Sequence, residues 1–227
     1  MNVQPFLFRT LDGMMGIAHN GNIVNANSLK KELEENGSIF NSTSDTEVLG
    51  HLIKRETGRF VDRICKSLEK IDGAFAFVIL VEDALYVARD RYGLRPLSMG
   101  RLPSGGYMFS SETCALDIAG AEFVRDVEPG EIIRVKDGII KSKKYTETLP
   151  ICNKLCAMEY IYFSRPDSNL DGINVHTARK TCGKTLFEEA PVEADLVIGV
   201  PDSSISAAIG YSEASGIPYP PASQPVR

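Results

Sequence analysis

Ala74-Phe75-Ala76-Phe77-Val78-Ile79-Leu80-Val81, followed after the short turn Glu82-Asp83 by Leu85-Tyr86-Val87-Ala88, is the stretch on which the fold turns. Both runs are apolar, rich in β-branched and aromatic residues and too short for a typical helix, so they are expected to form strands. So brief a connection leaves no room for a crossover, and the pair must be antiparallel. Downstream, further strands are expected at 107–111, 122–127, 131–136 and 139–145, punctuated by the turn formers Pro129-Gly130 and Asp137-Gly138. Upstream, the apolar period lengthens to that of helices. Asn27 is placed to cap a helix carrying Leu29 and Leu33 that stops at Gly37, and Ser44 and Glu47 have capping-box spacing ahead of Val48, Leu49, Leu52 and Ile53. A third helix is expected through Phe60, Ile64, Leu68 and Ile71. Residues 1–150 therefore read as an α+β domain of mixed helix and mainly antiparallel sheet.

Beyond about residue 150 the pattern becomes βα-like: a helix over His176 to Glu189, a short apolar strand over Ala194 to Val200, and a small-residue helix from Ser204 to Ser215 closed by Gly216. This is the opening of an α/β domain, extending to residue 219, and the proline-rich tail from Tyr219 to Pro225 excludes regular structure.

The 227 residues are 43% hydrophobic and 24% charged, which is ordinary globular composition. Lys and Arg total 25 against 30 Asp and Glu, a net charge of -5, which argues against a nucleic-acid or anionic-membrane partner. No run of about 18 apolar residues is present for a membrane span, and the N-terminus lacks a signal-peptide pattern, so a cytoplasmic protein is expected. The five cysteines, Cys65, Cys114, Cys152, Cys156 and Cys182, are irregularly spaced and do not suggest a disulfide framework. Cys152 and Cys156 alone are too few to close a metal site.

Four segments carry candidate chemistry. His19-Asn20-Gly21-Asn22 reads locally as a tight turn. Alternatively, the Asn20 amide and the Gly21 N–H form an oxyanion hole. Ser44-Asp45-Thr46-Glu47 reads as an acidic helix start, or Asp45 pairs with the α-ammonium of an amino acid. Asp90-Arg91-Tyr92-Gly93-Leu94-Arg95-Pro96-Leu97 is dense in special residues, and a structural turn is its plain reading. Gly199-Val200-Pro201-Asp202-Ser203-Ser204 lies between a strand and a helix, where a loop presents donors to an anion, or where a serine simply caps the helix.

Taken together, H-N-G-N, S-D-T-E, D-G-A-F-A-F and R-Y-G-L-R-P-L resemble the glutaminase domain of class II glutamine amidotransferases. The resemblance implies an αββα sandwich of the N-terminal-nucleophile type, here incomplete, with Asn20 and Gly21 as the oxyanion hole and Asp45 binding the glutamine amino group. The runs from Cys156 to Ser168, Asp171 to His176 and Gly199 to Tyr211 resemble the amidophosphoribosyltransferase family, and the likeness covers residues 1 to about 219. That family transfers glutamine-derived ammonia to 5-phosphoribosyl diphosphate in purine biosynthesis and forms homo-oligomers. Its pyrophosphate loop matches Pro201 to Ser204, so Asp202, Ser203 and Ser204 are expected to bind substrate, with Ser203 at a magnesium site. Cys156 matches one of four cysteines that hold a 4Fe-4S cluster in many members.

The family's nucleophilic cysteine, its downstream ribose-phosphate loop and the other three cluster cysteines have no match here, so this stretch by itself is expected to be inactive and to bind neither cofactor tightly. Residues 220–227 match nothing in the family. The rival readings are a relative of glucosamine-6-phosphate synthase, which shares the glutaminase domain but not the Gly199 segment, and a non-catalytic protein that keeps the fold.

Overall fold

The computed structural model describes residues 2–10 and 13–220, and the chain divides into two compact units, Met1–Ser111 with Ala119–Leu155 and Glu112–Ile118 with Cys156–Arg227. In chain order the first part comprises β1 (Phe6–Thr10), β2 (Gly13–Ile23), α1 (Ala26–Glu35), α2 (Thr46–Arg55), α3 (Phe60–Glu69), β3 (Gly73–Val81) and β4 (Ala84–Arg89). There follow β5 (Ser98–Arg101), β6 (Tyr107–Ser110), α4 (Thr113–Ile118), β7 (Glu122–Asp126), β8 (Glu131–Lys136) and β9 (Ile139–Lys144). All but α4 belong to the first unit. Its six-stranded sheet has the order β1-β2-β3-β4-β8-β9, its three-stranded sheet the order β6-β5-β7, and every pairing is antiparallel.

Alternation along β3 explains the layering. Phe75, Phe77 and Ile79 pack with Met15 and Ile17 against Leu49, Ile53, Ile64 and Leu68 of the helices. Ala76 and Val78 instead join Val87 and Ile133 against Leu97, Met99 and Val127 beneath the three-stranded sheet. Because successive side chains of a strand point to opposite faces, one strand serves two cores, and the unit is α+β, with helices on one face of a sheet and a second sheet on the other. The turns fall where expected: Glu82-Asp83 joins β3 to β4, and Asp137-Gly138, with φ of 51° and 72°, joins β8 to β9 as a two-residue turn of the type that favours Asp-Gly.

The capping-box reading of Ser44 and Glu47 does not hold. The buried Glu47 carboxylate reaches back to the N–H groups of Asn41 and Ser42 (2.9 and 2.8 Å) and to the Ser42 hydroxyl (2.6 Å). It fastens the loop before α2, and burial, which by itself opposes ionisation, is outweighed by these bonds, so its pKa is lowered.

The second unit holds α4, a π turn at Glu159–Phe163, the two-residue strands β10 (Asn169–Leu170) and β11 (Ile173–Asn174), α5 (Val175–Glu189) and α6 (Ile205–Ser215). Asn174 caps α5 by accepting from Thr177 N–H at 3.1 Å. The two long helices meet backbone to backbone. A β-carbon on Gly183 would lie 1.9 Å from the Ala207 carbonyl oxygen, and one on Gly210 would lie 1.9 Å from that of Lys180. Arg179 of α5 donates to the carbonyls of Tyr160 and Ser164 and so anchors the π turn. Residues 194–200, expected as a strand, form none: among the described residues Val197 N–H donates to Pro218 O, and no strand pairs with the segment. An apolar run becomes a strand only when a neighbour completes its ladder. Gly216, at φ 73°, closes α6 as expected. The tail expected without regular structure lies outside the described residues from 221 onward. Among the described residues no helix is long and apolar enough to cross a membrane.

Candidate functional site

Asn20 and Gly21 do not form a turn. They continue β2, which pairs with β3 through Asn20↔Ala76 and Gly21↔Phe75 as far as Ile23↔Gly73. Local turn preference yields here to a neighbouring strand that satisfies the backbone over nine successive pairs. Gly21 has a φ of 151°, and a β-carbon there would stand 2.0 Å from the Ala74 carbonyl oxygen, so the position admits only glycine.

The Asn20 side chain is held at both ends. Its Oδ1 accepts from Arg95 Nη2 at 2.9 Å, and its Nδ2 donates to Ser111 Oγ at 2.9 Å. Arg95 sits on a loop secured by two buried ionisable neighbours in sequence, Arg89 and Asp90. The Asp90 carboxylate accepts the N–H groups of Phe75, Tyr92 and Leu94. The Arg89 guanidinium donates to the carbonyls of Gly93, Arg95 and Val127 at 2.7–2.8 Å. Donors and acceptors of the loop are thus met from opposite sides.

Asp45 precedes α2 but makes no side-chain cap. Its Oδ2 accepts from Ile23 N–H of β2 at 2.7 Å, which draws the carboxylate to the strand that carries Asn20 and Gly21. His19, stacked on Phe77, places Nδ1 3.0 Å from Thr46 Oγ1 and 3.8 Å from Asp45 Oδ1. Burial opposes the Asp45 charge, yet the His19 ring and the Ile23 and Thr46 N–H groups favour it more, and its pKa falls to about 2. A group with a depressed folded pKa stabilises above its unfolded value and loses that contribution as pH falls through the folded one. Wild type is therefore expected to exceed Asp45→Asn by about 2 kcal/mol near pH 6, the gap closing between pH about 4 and about 2. Urea unfolding across that range checks it, and a gap independent of pH would refute the assignment.

The structure thus brings Asn20, Gly21 and Asp45 to one end of β2. Asp202, Ser203 and Ser204 lie in the second unit, in a turn just before α6, with Asp202 exposed and both serines half-buried. The Ser204 hydroxyl donates to Val200 O and does not cap the helix. Both serines border an apolar cavity of about 260 Å3 lined also by Tyr160, Tyr162, Arg179 and Cys182. Cys156 is half-buried. Residue type alone does not mark Arg95, Ser111 or His19, although Arg95 and His19 stand inside motifs quoted above; their contacts with Asn20 and Thr46 do.

The family described as "Glutamine amidotransferase domain" matches residues 1–117. The chain belongs to that family. This glutamine amidotransferase domain protein is 57% identical over 221 residues to the amidophosphoribosyltransferase of Bacillus subtilis (strain 168), covering 96% of this chain and 46% of the relative. It is 51% identical over 219 residues to that of Staphylococcus aureus (strain Mu50 / ATCC 700699), covering 96% and 44%. The structure of the glutamine phosphoribosylpyrophosphate amidotransferase from B. subtilis complexed with ADP and GMP superposes with a TM-score of 0.92 at 56% identity, over 96% of this chain and 48% of that one. The chain thus spans about half the length of the relatives it matches. Matches over 221 and 219 residues, 96% of this chain, extend through both units.

Proposed function

We propose that this chain is the glutamine-using part, together with the opening of the phosphoribosyl-transfer part, of an amidophosphoribosyltransferase. Such an enzyme releases ammonia from glutamine and transfers it to the anomeric carbon of 5-phosphoribosyl diphosphate, giving 5-phosphoribosylamine and pyrophosphate at the start of de novo purine synthesis. The observation that carries this reading is the reach of the similarity: it runs through both units, including the Gly199 to Tyr211 segment that a glucosamine-6-phosphate synthase relative would lack.

The residues suit their roles. A thiolate adding to the glutamine carboxamide pushes the carbonyl electrons onto oxygen, and donors at the Asn20 Nδ2 and the Gly21 N–H stabilise that oxyanion before it collapses to a thioester, the nitrogen taking up the proton the thiol gave up and leaving as ammonia; water then hydrolyses the thioester to glutamate. The resemblance assigns the thiolate to a cysteine upstream of residue 1. Cys65 is unsuited, since it lies in the core and burial raises its pKa. Asp45, ionised at neutral pH, pairs with the substrate ammonium.

In the second unit, Ser203 is a hard oxygen donor of the kind magnesium takes beside phosphate oxygens, where the ion would neutralise pyrophosphate charge. Residues 202–204 would orient that group. Cys156 would supply one of the four thiolates that a 4Fe-4S cluster takes in the resembled family.

The test is steady-state kinetics on the full-length protein, with glutamine or ammonia as nitrogen donor and pyrophosphate release as the signal. Asp45→Ala is expected to raise the glutamine KM by roughly 10- to 100-fold, the loss of one charge-assisted bond, and to leave ammonia-dependent turnover unchanged. Absence of pyrophosphate release with either donor would overturn the reading.

A further inference from the structure

Asparagine makes a poor fixed donor by itself, because its amide can turn over and present oxygen where nitrogen is needed. Arginine removes that freedom. Its guanidinium carries donors only, so the atom of Asn20 that lies 2.9 Å from Arg95 Nη2 must be the carbonyl oxygen. The NH2 group is thereby turned the other way, where one of its N–H bonds meets Ser111 Oγ at 2.9 Å and the second is left for a substrate oxygen. A cation bonded to the amide oxygen also draws electron density from the nitrogen, which strengthens both N–H donors.

The arginine is itself held to its task. The N–H groups of Leu94 and Arg95 donate to Asp90 Oδ2 at 3.0 and 3.5 Å, and the carbonyl of Arg95 accepts from Arg89 Nε at 2.8 Å, so the backbone on either side of the Arg95 α-carbon is tied to buried charges. The side chain is half-buried, so its charge is only partly screened by water.

We propose that Arg95 is a positioning residue of the glutaminase site: through Asn20 Oδ1 it sets the orientation of the Asn20 amide and sharpens it as an oxyanion donor. The inference rests on the amidotransferase reading above and deepens it. Arg95 acts on the transition state through Asn20, so its removal lowers kcat and leaves glutamine binding nearly untouched.

The experiment uses the full-length protein and four variants, R95M, R95K, N20A and the double variant N20A/R95M, with glutamine hydrolysis and ammonia-dependent pyrophosphate release measured on each. R95M is expected to lose about 10- to 100-fold in hydrolytic kcat, less than complete loss of an oxyanion donor, with the glutamine KM within threefold of wild type. Ammonia-dependent release should stay within twofold. R95K, which restores one charged donor, should recover at least threefold of the loss. In the N20A background, R95M should cost less than threefold more, because its route to the substrate is already gone. A raised KM at unchanged kcat, or an equal R95M penalty with and without Asn20, overturns the role of Arg95 while leaving the glutaminase reading intact. Wild type that never hydrolyses glutamine sinks that reading and this inference with it. If R95M also loses ammonia-dependent release, R95K alone decides, with lowered kcat at unchanged KM expected and a raised KM alone overturning the proposal.

Discussion

Asp90→Ala is expected to destabilise the first unit by about 4 kcal/mol or more, among the largest effects of any single substitution here. Asp90 is fully buried, and its carboxylate accepts from Tyr92 N–H at 2.9 Å, Leu94 N–H at 3.0 Å and Phe75 N–H at 3.2 Å. Alanine leaves these three donors without a partner in a place water does not reach, and each such orphan costs about 1–3 kcal/mol. The backbone bonds of residue 90 to Phe75, Gly93 and Gly130 survive the change, which limits the damage to the loop and the start of β3. Asp90→Asn keeps one acceptor oxygen but turns an NH2 toward donors, so about half of the penalty should remain. Urea denaturation of the three proteins, compared at equal m-value, measures this. A loss below about 1 kcal/mol for Asp90→Ala would mean that the loop finds other acceptors.

Gly21→Ala should be nearly as costly and should also depress glutamine-dependent turnover. The new methyl would stand 2.0 Å from the Ala74 carbonyl oxygen and 2.8 Å from its carbon, both backbone atoms of the adjoining strand. The clash cannot be relieved by a side-chain rotation, so β2 must move away from β3 in the interior of the six-stranded sheet. Overpacking and a strained φ together make about 3 kcal/mol the expected loss of stability. A displacement on the order of 1 Å would carry Asn20 with it, and glutamine-dependent turnover should fall by about 100-fold. Gly58→Ala is the matched control: φ is 106°, yet nothing lies within 4 Å of the added carbon, so it carries the strain without the clash. Equal destabilisation by the two substitutions would show that backbone strain alone accounts for Gly21. Retention of glutamine-dependent turnover in Gly21→Ala would separate this glycine from the reaction.

Legibility varied along the chain for identifiable reasons. Phe75, Phe77 and Ile79 alternate with Ala76 and Val78 on faces that are both buried, and that period of two survives in any environment. The strands Phe6–Thr10 and Ser98–Arg101 leave little mark in the sequence. The first follows Pro5, which punctuates loops, and the second consists of Ser98, Met99, Gly100 and Arg101, with no alternation to read. Residues 194–200 fail in the opposite direction, apolar enough for a strand but lacking one to pair with among the described residues. The motifs offer Asn20, Gly21 and Asp45 as candidates, and these lie at one end of β2, whereas the loop from Asp90 to Arg95 reads as a plain structural turn.

The alternation at 74–81 and the turn pairs Glu82-Asp83 and Asp137-Gly138 determined, from sequence alone, a mainly antiparallel α+β unit, and the quoted motifs its resemblance to glutamine amidotransferases; a second unit follows. These are local properties: strand period, turn chemistry and residue type act within a few positions and leave their mark in the order of residues. Only the tertiary structure decided that Asn20-Gly21 is strand and not turn, that Asp45 spends its carboxylate on Ile23 and not on a helix cap, and that Arg95 meets Asn20 across 75 residues of chain. Such contacts depend on which strand lies beside which and in what register, and a hydrogen bond between distant residues has no periodicity of its own to betray it.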